Sequence, residues 1–182
     1  MTSRFPTSFA QAAALPPTAA LTHPIPTGSW TLYFHEPEDK SWSIDSYRRI
    51  CNIPSWELLG SVLREMGQHR TVNGMMFAMQ GDTSPLWENK ANIRGGCYCL
   101  KVSRKAAAET YQRYLVAAAL GLITIGENPI VGVTMSPKKG FCIIKLWNTN
   151  AKAFNKATDI AILHEEVKVE EILYRPHTDQ KM

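Results

Sequence analysis

Short runs of alternating hydrophobic and polar residues are spread along this chain, separated by three stretches whose apolar spacing is helical. Residues 29–34 are aromatic and β-branched and predict a strand. A polar loop over 36–43 follows, and residues 44–53 hold a second strand. Residues 74–79 and 95–102 predict two more. Residues 130–135 and 141–147 predict a hairpin across Ser136 to Gly140, and 171–174 a last strand. Pro54 and Ser55 open a helix with Leu58, Leu59, Val62, Leu63 and Met66 on its apolar face. Residues 106–122 are alanine-rich, with Tyr111, Leu115, Ala118 and Leu122 on one stripe, and Pro129 bars continuation. Residues 151–167 read as a third helix. Strands outnumber helices and nothing repeats, so the pattern predicts an α+β fold with a mainly antiparallel sheet. Helices on one face of such a sheet leave the other free for a ligand.

Composition narrows the class. A chain of 182 residues, 45% of them hydrophobic, suits one domain with one substantial core. Residues 1–22 are rich in Ala, Pro, Thr and Ser and predict a disordered tail, leaving 23–182 as the domain. The formal charge of +4, from 20 basic and 16 acidic residues, permits a local phosphate site but is no polycation. Cys51, Cys97, Cys99 and Cys142 do not make a disulfide framework, and Cys97 and Cys99 lack the two-residue spacer of a zinc site. They read as reduced thiols on a strand, in a cytosolic or nuclear protein. No apolar run approaches the ~20 residues of a membrane span. No nucleophile–base pair, metal cluster or P-loop is present, so no catalytic residue, metal or cofactor is expected.

The polar segments carry the candidate chemistry. Trp30 lies in an apolar strand and reads as core. Trp42 sits among Asp39, Lys40, Ser41 and Ser43, where an aromatic is either a liability or a binding surface. Trp87 follows Ser84 and Pro85 in a polar turn and precedes Glu88. Arg94 precedes Gly95 and Gly96, whose small size lets a backbone approach an anion closely. Lys138 and Lys139 occupy the hairpin tip. Trp147 shares a strand face with Lys145, while Leu146, Ile144 and Cys142 point the other way, which predicts a ring on the wetter face. Indole faces bind flat cations, a carboxylate accepts paired N–H donors, and Arg and Lys suit phosphates.

In this order the residues resemble the eukaryotic translation initiation factor 4E family of mRNA cap-binding proteins. The matching elements are His23-Pro24 before the Trp30 strand, Lys40 to Trp42, Pro85 to Asn89 with Arg94-Gly95-Gly96, and Ile144 to Trp147. The resemblance spans almost all of the chain after residue 22. It implies a curved sheet with about three helices on the convex face and a cap pocket on the concave side. It further implies a protein that binds the mRNA 5′ cap in translation initiation and performs no chemistry on it. Trp42 and Trp87 would stack 7-methylguanine, Glu88 would read the guanine N1–H and N2–H, and Trp147 would touch the N7 methyl group. Arg94 and a lysine among Lys138, Lys139 and Lys145 would hold the triphosphate. The hairpin register departs from the family pattern, so which lysine serves stays open.

The family's other surface binds Tyr-x4-Leu-Φ peptides of 4G-type scaffold factors and of 4E-binding proteins. His23, Pro24, Trp56 and part of the 106–122 helix would border it here. Trp56 stands where the family has an aromatic–Trp pair and replaces either its buried or its exposed member. The smooth Ala117 to Ala119 stretch points to an altered choice of partner. Two other readings stand beside cap binding. One is an interaction module or translational repressor with weak cap affinity. The other is a general single-strand binder, which the modest charge disfavours.

Overall fold

The computed structural model describes residues 23–71, 73–124, 128–154 and 156–179, so the expected tail over 1–22 lies outside the described residues. In chain order the regular elements are β1 (Trp30–His35), β2 (Arg48–Ile53), α1 (Trp56–Thr71), β3 (Met75–Gln80), β4 (Gly96–Ser103), α2 (Ala107–Leu120), β5 (Gly132–Pro137), β6 (Phe141–Asn148) and β7 (Leu173–Pro176). The strands form one seven-stranded sheet in the order β2-β1-β3-β5-β6-β4-β7. Every neighbouring pair is antiparallel.

Period-two alternation sorts the side chains between the sheet's two faces. Trp30, Leu32 and Phe34 of β1, Leu100 of β4, Val133 of β5 and Ile144 and Leu146 of β6 pack beneath the helices. They meet Leu59, Val62 and Met66 from α1 and Tyr111, Leu115 and Ala118 from α2. Fully burying such a side chain stabilises the fold by about 1.5–3 kcal/mol. Trp30 is core as its sequence context predicts, with its indole N–H donated to Thr27 Oγ1 at 3.0 Å. The opposite face carries a smaller cluster of Tyr33, Tyr47, Phe77, Met79, Cys97 and Trp147.

Two of the expected helices form and the third does not. Gly67, at φ 44°, kinks α1 near its end. Gly121, at φ 72°, terminates α2, and the N–H groups of Gly121 and Leu122 turn back to Ala118 and Ala117. Leu122 therefore leaves the apolar stripe and is 65% exposed. Among the described residues of 151–167 the regular elements are the single 3-10 turns Ala151–Ala153 and Ala157–Asp159. Beyond these local turns, their backbone groups bond outward. Ala161 N–H donates to Ile123 O at 2.8 Å, and Ile160 bridges Thr124. The Ala161 and Leu163 carbonyls accept from Tyr114 and Arg113. Docking onto α2 outweighs the local helical tendency.

Candidate functional site

Two loops rise over the face that the helices leave open. The first joins β1 to β2. His35, the last residue of β1, is fully buried on this face, and its Nε2 lies 2.8 Å from the Ser41 carbonyl. A carbonyl only accepts, so Nε2 carries the proton. Ser41 N–H in turn bonds to Asp39 Oδ1 at 2.8 Å. This short, self-bonded loop lays the Trp42 indole flat on the His35 ring, with centroids 4.5 Å apart and planes 4° from parallel. Tyr47 tilts against His35 at 4.8 Å and meets the Phe77 ring edge-on at 5.1 Å. Trp42 itself stays 42% exposed.

The second loop joins β3 to β4 and is braced from inside by Asn92. Its side-chain amide donates to the Ser84 and Leu86 carbonyls, each at 2.8 Å. Its own carbonyl accepts from His177 Nδ1 at 2.8 Å. Trp87 emerges half-buried beside Leu86, and the Lys145 ammonium stands 5.3 Å from its ring centroid. Between the loops lies a cavity of about 430 Å³ lined by Lys40, Trp42, Tyr47, Leu86, Trp87 and Glu88. Burial pushes the Tyr47 phenol well above its ordinary value, and the Glu88 carboxylate pushes it further.

The structure thus brings Trp42, Trp87 and Glu88 to one cavity. Trp147 lies on the same side of the sheet as Lys145, as the alternation predicts, but its ring is not wet. It is 1% exposed, packed with Tyr33, Phe77 and Met79 and tilted against His177 at 4.7 Å. Its Nε1–H points to Thr134 Oγ1 at 3.4 Å. The cluster of aromatic rings on this face covers what a single strand's alternation leaves exposed.

Arg94 is exposed and lines a different depression of about 960 Å³, with Lys90 and Lys152 among its neighbours. Lys138 and Lys139 are exposed at the β5–β6 tip, where the Lys138 carbonyl accepts from Arg104 at 3.0 Å. None of these three lines the cavity between the tryptophans. The glycines after Arg94 serve packing. A Cβ on Gly95 would strike the Asn148 carbonyl oxygen, and one on Gly96 would strike the Tyr174 hydroxyl. They let β4 enter between β6 and β7.

Sequence reasoning missed His35, Tyr47 and Leu86, and it missed Arg175, which pairs in register with Cys97. The signal for His35 was present, because β1 alternation puts it on the face of Tyr33, away from Trp30. Tyr47 precedes β2 and carries no period of its own. Among the described residues no group of three or more His, Cys, Asp or Glu is placed to hold a metal. None of the helices there is long and apolar enough to cross a membrane.

On the helical side, His23, Pro24 and Trp56 come together. Trp56 N–H donates to the His23 carbonyl at 3.1 Å, and Pro24 bridges Ser55. His23 Nδ1 lies 2.6 Å from Glu57 Oε1. Trp56 is half-buried against the core, between the two roles its sequence left open. Ala118 and Ala119 pack inward, while Ala117 lines an open apolar groove with Val116 and Leu120, so one alanine of the three reaches the outer surface.

Comparison with known proteins gives a consistent result. The chain is 27% identical over 132 residues to eukaryotic translation initiation factor 4E of Saccharomyces cerevisiae, covering 69% of this chain and 61% of that protein. It is 23% identical over 171 residues to the factor of the same name in Dictyostelium discoideum, covering 90% of this chain and 68% of the other. Among solved structures, C. elegans eIF4E-3 with the 4E-binding protein Mextli shares the fold at a TM-score of 0.68 and 15% identity, covering 86% of this chain and 94% of that one. Ascaris suum eIF4E-3 with m7G cap does so at a TM-score of 0.58 and 17% identity, covering 72% and 76%. Those neighbours carry the same curved α+β sheet. The sequence profile of the Eukaryotic initiation factor 4E family matches residues 27–182, and the chain belongs to that family.

Proposed function

We propose that residues 23–182 bind the 7-methylguanosine cap of mRNA and serve translation initiation. The observation that carries this reading is the placing of Trp42, Trp87 and Glu88 around one cavity of about 430 Å³. The base enters between the indoles, and its N7 methylation supplies the positive charge that an indole face attracts. Stacking contributes roughly 1–3 kcal/mol per base. Glu88 accepts from the guanine N1–H and N2–H. The contact of Trp147 with the N7 methyl group stays part of the proposal, although its ring is buried and outside the cavity's lining. Lys145 is the first phosphate ligand, since its ammonium already stands at Trp87. Arg94, Lys138 and Lys139 act further along the triphosphate. The binding itself needs no catalytic residue and no cofactor.

The names of the structural neighbours support both halves of the proposal. One was solved with m7G cap, another with the 4E-binding protein Mextli. On this chain, His23, Pro24 and Trp56 form the surface proposed for a Tyr-x4-Leu-Φ peptide of a 4G-type scaffold factor or a 4E-binding protein. The chain spans 61% of the yeast relative's length, so partner exchange as a whole protein belongs to the proposal too. The proposed place of action is the cytoplasm, with the nucleus as a second site.

A second reading, an interaction module or repressor with weak cap affinity, is favoured by one observation. Arg94, Lys138, Lys139 and Lys145 all lie outside the cavity's lining, which leaves Lys40 as the cation among its lining residues. Tryptophan-fluorescence quenching by 7-methyl-GTP against GTP, at fixed salt, tests both. The proposed function expects the methylated nucleotide to bind at least tenfold tighter, about 1.4 kcal/mol. Equal or absent responses would overturn it and leave the second reading.

A further inference from the structure

We propose that Cys97 and Cys99 form a reactive dithiol on the open face of the sheet, with Cys99 the nucleophile toward hydroperoxides and Cys97 the resolving thiol. The two sit at i and i+2 on β4, so their side chains leave the strand on the same side. Their Sγ atoms are 3.9 Å apart. Cys97 is 1% exposed, whereas Cys99 is half-buried and so within reach of a small oxidant. Two cations flank them, one from each neighbouring strand. Lys145 on β6 pairs with Cys99, and Arg175 on β7 pairs with Cys97.

These surroundings favour a thiolate. The Cys97 thiol bonds to Cys99, and the ammonium of Lys145 and guanidinium of Arg175 act in the same sense, so the Cys99 thiol is lowered to about 7 despite its burial. The other two thiols behave oppositely. Burial pushes Cys51 up to about 11 and raises Cys142 as well. Thiolates and not thiols attack electrophiles, so one of the four cysteines is singled out.

The chemistry balances with a peroxide as the named oxidant. Cys99 thiolate attacks one peroxide oxygen, the O–O bond breaks, and hydroxide leaves and takes up a proton as water. That gives a sulfenic acid at Cys99. Cys97 sulfur then attacks the sulfenic sulfur, the S–O bond breaks, and hydroxide departs with the Cys97 proton as a second water. Two electrons pass from the thiols to the peroxide. Two strand residues span about 6.6–6.8 Å between Cα atoms, at the upper edge of what a disulfide bridges. The bond is therefore strained and readily reduced, which suits a reversible mark. None of these steps depends on what the neighbouring cavity binds.

The test uses the full chain, reduced and then exposed to a few equivalents of hydrogen peroxide, with peptide mapping by mass spectrometry. The expected result is loss of two hydrogens from the peptide holding Cys97 and Cys99, reversed by dithiothreitol, with Cys51 and Cys142 unchanged. In Cys97→Ala, dimedone should trap the sulfenic acid at Cys99, while in Cys99→Ala it should leave Cys97 unlabelled. Iodoacetamide should alkylate Cys99 of the unsubstituted chain at least about tenfold faster than Cys51. This last measurement needs no substitution, so a variant that fails to fold does not shelter the proposal. Equal alkylation rates, dimedone on Cys97, or oxidation of Cys99 without a bridge would each overturn it.

Discussion

The imidazole of His35 and the indole of Trp42 lie 4.5 Å apart and within 4° of parallel, so one face of the loop tryptophan is occupied before any ligand arrives. An exposed indole on a loop would otherwise sample many orientations, and fixing it would oppose binding. His35 is itself locked by burial and by Ser41. His35→Ala should therefore free the Trp42 indole and weaken 7-methyl-GTP binding by about 1 kcal/mol. Trp42→Ala should lose roughly 1–3 kcal/mol. Fluorescence titration of both variants checks the order of the two losses.

Glu88 is the acid at the rim of the cavity. Removing a charged hydrogen-bond acceptor costs about 1.5–3 kcal/mol. Glu88→Gln should lower affinity for 7-methyl-GTP by that amount and narrow its preference over a 7-methylated hypoxanthine nucleotide, which lacks the N2 amine. Competition between the two nucleotides reads the change. Unaltered guanine preference would place the recognition elsewhere.

Lys145 stands at Trp87, and the proposed function makes it a phosphate ligand. Lys145→Met keeps the length of the stem and removes the charge. It should weaken 7-methyl-GTP binding about tenfold and leave 7-methylguanosine binding unchanged or tighter. Equal losses for both ligands would remove Lys145 from a phosphate role.

His177 predicts a pH effect. Burial holds its imidazole below the ordinary histidine value of about 6.5. The Lys145 charge adds to that, while the Asn92 carbonyl and Glu88 oppose it. The folded chain keeps the ring neutral where the unfolded chain protonates it, so this contribution is complete above about pH 6.5 and lost as pH falls through the folded value. Urea unfolding midpoints should drop from about pH 7.5 to about pH 5.5, and His177→Gln should flatten part of that slope.

Gly95→Ala should destabilise the fold by ~1–3 kcal/mol, because its new Cβ meets the Asn148 backbone and nothing flexible can yield. Thermal melting measures it. A stability change confined to ligand-bound protein would instead assign Gly95 to the ligand.

The strands were legible for two reasons: β6 alternates between buried and half-buried residues, whereas β1 is buried throughout and is betrayed by its aromatic and β-branched run. The loop tryptophans were legible for the opposite reason, as large aromatics with no apolar neighbours to pack on. What failed depended on distant partners. Residues 151–167 have a helical sequence pattern, but Tyr114 and Arg113 of α2 claim the Ala161 and Leu163 carbonyls. Trp147 looked wet because alternation is blind to Tyr33 and Phe77 arriving from β1 and β3 and to His177 from the 3-10 turn after β7. The glycines after Arg94 looked like an anion cradle, and only the register of β4 against β6 and β7 reveals them as strand spacers.

The ammonium of Lys145 at Trp87 has one more consequence. Lys145 stands over the ring without lining the cavity between the loops. A cation held there draws on the same π electrons that a methylated base would use. The resting protein thus blunts its own appetite for a charged base, and an ammonium that swings away to a phosphate would sharpen it.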